Sequence, residues 1–198
     1  MRSSKSLASV ACLLTLLGCA GTQTGPQSRA GNQSSSALER FLPLENNTVF
    51  SYETFIEETN ERGLAVVEVS RPRDNLAELR IAGKVKKRYH ISADGMQTSG
   101  GGYVLKAPLA LGAEWQGDDG KVNVTAMDRG ITVPAGKFTG CLETVENVQF
   151  ATSAYRQTTT VFCPGVGITL LQIKAEQDGE HVLQRLSLKS FGPRFSAR

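Results

Sequence analysis

The chain has 198 residues, 40% of them hydrophobic and 21% charged, with 20 glycines, ordinary globular values that suit one medium domain plus a tether and exclude general disorder. Of the 22 basic residues set against 19 acidic ones, Arg2 and Lys5 fall in a leader segment, so 22 less these two leaves 20 against 19. A chain this close to neutral lacks the basic stripe that nucleic-acid binding requires, and nucleic acid is set aside as a partner.

Residues 1–5 hold those two charges, residues 7–17 form a leucine-rich apolar run and Gly18 is small, which is the order of a signal peptide. As a helix the run rises only about 16 Å against a hydrocarbon layer of ~30 Å, too short to span it. Leu16-Leu17-Gly18-Cys19 resembles the lipobox of bacterial lipoproteins. The resemblance implies cleavage before Cys19, lipid attachment at its thiol and a stable membrane anchor, each buried methylene contributing about 0.8 kcal/mol. It also implies an envelope protein at the outer membrane facing the periplasm, because Ala20 rather than aspartate follows the cysteine. Cys12, inside the apolar run, reads as a hydrophobic filler.

From Ala20 to Ser36 small and polar residues dominate and nothing apolar exceeds alanine in size, so this stretch cannot bury a core and reads as a flexible linker with a reach of roughly 20 to 25 Å. The expected organisation is a signal peptide over 1–18, a lipidated amino terminus and linker over 19–37, one β-rich domain over 38–191 and a tail over 192–198.

Past Val49, segments of strand-forming residues alternate with turn chemistry and no long stretch has helical periodicity. Strands are predicted at Val49–Thr59, Leu64–Ser70, Leu76–Ile81, Val85–Ser92, Tyr103–Leu105, Lys121–Asp128, Leu142–Phe150, Tyr155–Phe162, Ile168–Ala175 and His181–Ser190. Asn60-Glu61-Arg62-Gly63 reads as a turn, and Asp94-Gly95, Asp119-Gly120 and Asp178-Gly179 as two-residue hairpin loops. The fold class is therefore all-β: about ten antiparallel strands in a meander, curling into a half-barrel, barrel or sandwich to hide its edges.

If Tyr155–Phe162 folds back on Leu142–Phe150, directly opposed residues have numbers summing to 304, as do Cys141 and Cys163. Opposed Cα atoms lie about 4.5 or 5.5 Å apart, within disulfide range, so a cross-strand bridge is predicted in an oxidising compartment. Neither cysteine belongs to a closely spaced pair and the two histidines are far away, so no metal and no cofactor is expected.

Three phrases occur in order: Pro108-Leu109-Ala110-Leu111-Gly112-Ala113-Glu114-Trp115, Val133-Pro134-Ala135-Gly136-Lys137-Phe138 running to Cys141, and Pro164-Gly165-Val166-Gly167-Ile168. They are similar to phrases in a group of small uncharacterised envelope lipoproteins, over most of the segment from Phe41 to Leu188. Asn46-Asn47 departs from that group's usual glycine turn. The resemblance implies no activity. Proline and glycine in these phrases suit turns, and Trp115 and Phe138 read as core anchors.

No residue is expected to be catalytic: His90 and His181 lie outside any recognisable signature, and Ser99-Gly100-Gly101-Gly102 lacks the lysine of a phosphate loop and reads as a mobile bend. Glu57-Glu58 and Glu143-x-x-Glu146 would face opposite sides of a strand. Lys84, Lys86, Arg88 and His90 are expected on one strand face, where they would meet anionic headgroups. Val67, Val69, Leu79, Ile81 and Tyr89 are candidates to line an apolar cavity. The expected function is a membrane-anchored, non-catalytic binding or assembly module for an envelope protein or an apolar ligand. The alternative is an envelope glycan hydrolase or lyase whose carboxylates converge only in the fold.

Overall fold

Alternating apolar residues and short polar loops leave neighbouring segments little choice but to pair antiparallel, and the domain is built almost wholly that way. A computed structural model describes residues 37–152 and 154–194; the expected leader, Cys19 and the linker as far as Ser36 lie outside them. A single helical turn over 37–41 precedes twelve strands: β1 (Thr48–Ile56), β2 (Glu61–Arg73), β3 (Leu76–Ile81), β4 (Lys84–Ile91), β5 (Gly95–Thr98), β6 (Tyr103–Lys106), β7 (Glu114–Gln116), β8 (Lys121–Val133), β9 (Gly136–Ala151), β10 (Ala154–Cys163), β11 (Gly167–Gln177) and β12 (Glu180–Pro193).

All twelve belong to one sheet ordered β6-β5-β4-β3-β2-β1-β12-β11-β10-β9-β8-β7. Every neighbour is antiparallel. The first and last strands pair, so the meander rolls up from both sides of that junction into a nearly closed barrel. The all-β expectation holds, with β5 and β7 additional to the ten predicted strands. Gly192 and Pro193, expected in the tail, pair with Val49 and Thr48.

Turn chemistry places some hairpins as read and shifts others. Asp178 and Gly179 both have positive φ, 52° and 85°, as a type I′ loop requires. The loops at the other two Asp-Gly pairs centre one residue earlier, on Ala93-Asp94 and Asp118-Asp119, as shown by Ser92 N–H to Gly95 O at 3.0 Å and Gly117 N–H to Gly120 O at 2.8 Å. Gly120 is there for close approach: a Cβ would overlap the Asn147 carbonyl of β9. The first turn covers residues 57–60, with Asn60 at φ 53°, while Gly63 lies within β2 opposite Thr54.

Leu142 faces Phe162, Thr144 faces Thr160 and Val145 faces Thr159, the predicted register. One step further, Cys141 and Cys163 form a disulfide, and both are fully buried. At the same end Leu38, Phe41, Leu42 and Leu44 from the amino-terminal turn join the barrel core. The Gly165 N–H donates to the Arg40 carbonyl at 2.8 Å, so this turn caps the barrel. Trp115 is buried and Phe138 packs partly buried against the core.

Candidate functional site

Side chains alternate across a strand, so one row of β9 and one of β10 face the barrel interior. From the capped end these rows run Leu142–Phe162, Thr144–Thr160, Glu146–Thr158 and Val148–Arg156. The interior therefore turns polar toward the uncapped end, where the β5–β6, β7–β8 and β9–β10 loops lie.

The sheet's two edges, β6 and β7, meet at this end. No strand ladder joins them; side chains and loop backbone do. Trp115 Nε1–H donates to the Tyr103 carbonyl at 3.0 Å. The Ser99–Gly102 bend, read from sequence as mobile, packs on the β7–β8 loop, and a Cβ on Gly102 would overlap the backbone of Gly117 and Asp118. The Asp118 carboxylate accepts from the Lys87 ammonium at 2.9 Å, from the Thr98 hydroxyl and from the Gly102 N–H. Burial pushes this carboxyl upward, but these donors outweigh it and hold the group below the ordinary aspartate range.

Two further carboxylates complete the cluster. Glu146 Oε1 accepts the backbone N–H groups of Asp119 at 3.2 Å and Gly120 at 3.0 Å, fixing the loop. Asp119 pairs with Arg156 at 2.5 Å, whose guanidinium lies 5.5 Å from the Phe150 ring centroid. Between these groups is a cavity of about 150 Å³ bordered on its polar side by Lys87, Asp118, Glu146 and Thr158 and on its apolar side by residues such as Val122 and Phe162, with Tyr89 also at its wall. Ligand sites usually occupy roughly 300 to 1,000 Å³, so this space suits a few waters. Burial, followed by the charge of Asp118, pushes the Tyr89 phenol upward and keeps it a neutral hydrogen-bonding group.

The expected apolar cavity is replaced by packed core. Val67 faces Ile81 and Val69 faces Leu79, so the five residues share the inner face. Val69 and Tyr89 are buried and Val67 and Leu79 pack against the core, while Ile81 is 38% exposed near the rim. Of the five, Tyr89 borders the cavity and the others do not. Aromatic and branched side chains fill the space instead, as where Tyr52 reaches past β12 to donate its Oη–H to the Ile168 carbonyl of β11 at 3.0 Å.

The expected cation row is also corrected. Lys87 faces Leu79 but Val85 faces Arg80, an irregularity that inserts one residue into β4. Lys84 consequently lies across from Ile81 and Arg88 across from Glu78, positions on opposite faces of β3. Lys84, Lys86, Arg88 and His90 therefore do not form one face. Arg88 and Arg80 each bond Glu78 at 2.9 Å, and this double contact, Arg88's hydrogen bond foremost, holds its carboxyl below the ordinary range.

Of the carboxylates considered for glycan chemistry, Glu143 and Glu146 separate as the strand period requires, whereas Glu57 and Glu58 lie in the 57–60 turn and border one groove with His181. Glu143 pairs with Arg129, Glu58 accepts the Leu183 N–H and Glu146 points inward to meet Asp118 and Asp119 at the cavity. Sequence reasoning missed Lys87, Thr98, Asp118, Asp119 and Arg156. The available signal was the run Leu142-x-Thr144-x-Glu146-x-Val148, which puts polar side chains in an inward row. Among the described residues no three His, Cys, Asp or Glu side chains gather as a metal site, and no helix is long and apolar enough to cross a membrane.

No protein-family model and no curated protein matches the chain. Among solved structures it is similar to a candidate lipoprotein from Parabacteroides distasonis, at 9% identity and TM-score 0.46. It is also similar to a candidate exported protein with a YmcC-like fold from Bacteroides fragilis, at 12% identity and TM-score 0.47. In each case the alignment covers 77% of this chain and 98% of the other.

Proposed function

We propose that this protein is an envelope lipoprotein, tethered through Cys19 to the outer membrane, whose β-barrel serves as a non-catalytic module that binds a protein partner with its outer surface. The lipobox-like Leu16-Leu17-Gly18-Cys19 and the polar linker after it support the tether. The observation that carries the choice between ligand and partner is the packed interior, whose cavity of about 150 Å³, bordered by apolar side chains such as Val122, Phe162 and Leu171 as well as by charged and hydroxyl groups, is small for a ligand. A space of that size falls short of the roughly 300 Å³ at which ligand sites begin, which disfavours an acyl chain as occupant. The carboxylates at the uncapped end are each committed to a lysine, an arginine or backbone N–H groups, which favours a structural rather than a catalytic role.

Protein purified from an envelope fraction without denaturation, then extracted with organic solvent, is expected to release less than one lipid per ten molecules apart from its covalent chains. Photo-crosslinkers placed on outward positions in intact cells are expected to give a discrete protein adduct. Stoichiometric recovery of free lipid would overturn the reading. So would soluble glycan fragments released from envelope preparations by the wild type and not by Asp118→Asn.

A further inference from the structure

We propose that the outer face of β2-β1-β12 is a docking groove for an acidic, extended segment of a protein partner, read by a pair of arginines stacked on Phe55. This deepens the surface-binding reading and rests on it. The ladders set Arg62 directly opposite Phe55 on one side and Arg185 on the other. Both guanidinium carbons lie over the ring, 4.9 and 5.7 Å from its centroid. The same residues border a groove of about 400 Å³ that also includes Leu64 and Ser187.

Three observations select the occupant. Among the described residues neither arginine pairs with a carboxylate, whereas Lys189 in the same groove is matched by Glu53 at 3.0 Å. Contact with the ring leaves each guanidinium its fork of N–H donors, a group that suits bidentate contact with a carboxylate. Secondly, two groups at these distances from one centroid are at most about 11 Å apart. An extended chain places every second side chain about 6.8 Å apart on the same side, so neighbouring same-side acids reach both forks.

Thirdly, Leu64 is 59% exposed beside the arginines, offering an apolar contact between charged ones, the mix found at energetic centres of protein interfaces. A flat anionic membrane fits poorly. Recognition of such a surface asks for about four to eight cations, and this groove holds Arg62, Arg185 and Lys189, the last already paired with Glu53.

The test uses the full chain, the labelled peptide Gly-Asp-Leu-Asp-Leu-Asp-Gly, its asparagine counterpart and vesicles containing anionic lipid. The acidic peptide is expected to bind, with Arg62→Ala and Arg185→Ala each weakening it about tenfold and Arg62→Lys several-fold, since a lysine keeps charge but loses the fork. Lys84→Glu, away from the groove, is expected to leave binding unchanged, and unaltered thermal melts confirm that these exposed substitutions do not unfold the barrel. Equal binding of the asparagine peptide, absence of binding at about 1 mM, or vesicle binding that Arg62→Ala abolishes while the peptide does not bind would each overturn the proposal. In cells, a crosslinker at Leu64 is expected to form an adduct lost in Arg62→Glu/Arg185→Glu. If adducts form elsewhere on the barrel and that double variant leaves them intact, surface binding stands and this groove is not its site.

Discussion

Asp118 does at the barrel seam what a strand ladder does elsewhere. Its partners come from β4, β5 and the bend after it, so one carboxylate ties the edge formed by β5 and β6 to the loop after β7. Asp118→Asn is expected to cost about 1 kcal/mol, read as a lowered melting temperature, because charge-assisted hydrogen bonds to a half-exposed group are weakened but not all lost. The pH dependence follows from the depressed carboxyl. Its stabilisation is complete above the unfolded value of about 4 and disappears as pH falls through the lower folded value, so wild type and Asp118→Asn should converge in stability at strongly acid pH. Gly102→Ala tests the seam from the other side: the added methyl meets backbone rather than a yielding side chain, and a loss of about 2 kcal/mol or more in chemical denaturation is expected. None of this was legible in the residues one at a time. Lys87 lies 31 positions from Asp118 and Thr98 lies 20 away, and Asp118 sits in a run that reads simply as turn.

Among the elements, the β9–β10 hairpin was the most legible. A sequence sum predicts its register because residues facing one another across an antiparallel pair have a constant sum until a bulge intervenes, and the irregularity here falls at Ala154/Tyr155, outside the pairs that position the cysteines. Replacing Cys141 and Cys163 together by alanine is expected to lower stability by about 3 kcal/mol on the chain-entropy argument for a 22-residue separation, measurable as a shift in denaturation midpoint. The same arithmetic failed on β4. An inserted residue near Lys86 reverses the parity of the strand, and alternation alone carries no sign of a bulge. β5 and β7 escaped notice for a different reason: at four and three residues they are too short to show a period, and their neighbours' pairing creates them.

For the whole molecule, the all-β class was written in alternation and turn residues, while closure was not, since it depends on contacts such as Val49 with Gly192 that no local pattern announces. Whether the barrel would be hollow was equally hidden, because filling depends on side chains from opposite walls. If the tether is as proposed, Cys19→Ser is expected to move the protein from membrane to soluble fractions with an unchanged melting curve, since the cap and core begin at Leu38; co-sedimentation and calorimetry on the same preparations check both parts. The pairing of the first strand with the last has a temporal consequence. A chain emerging from its amino terminus completes β1 early yet must wait for β12 before that strand gains its second neighbour, leaving bare hydrogen-bonding edges on β1 and β11 until synthesis and delivery finish. During that interval the half-built sheet is at its stickiest, and a holding chaperone would matter most then.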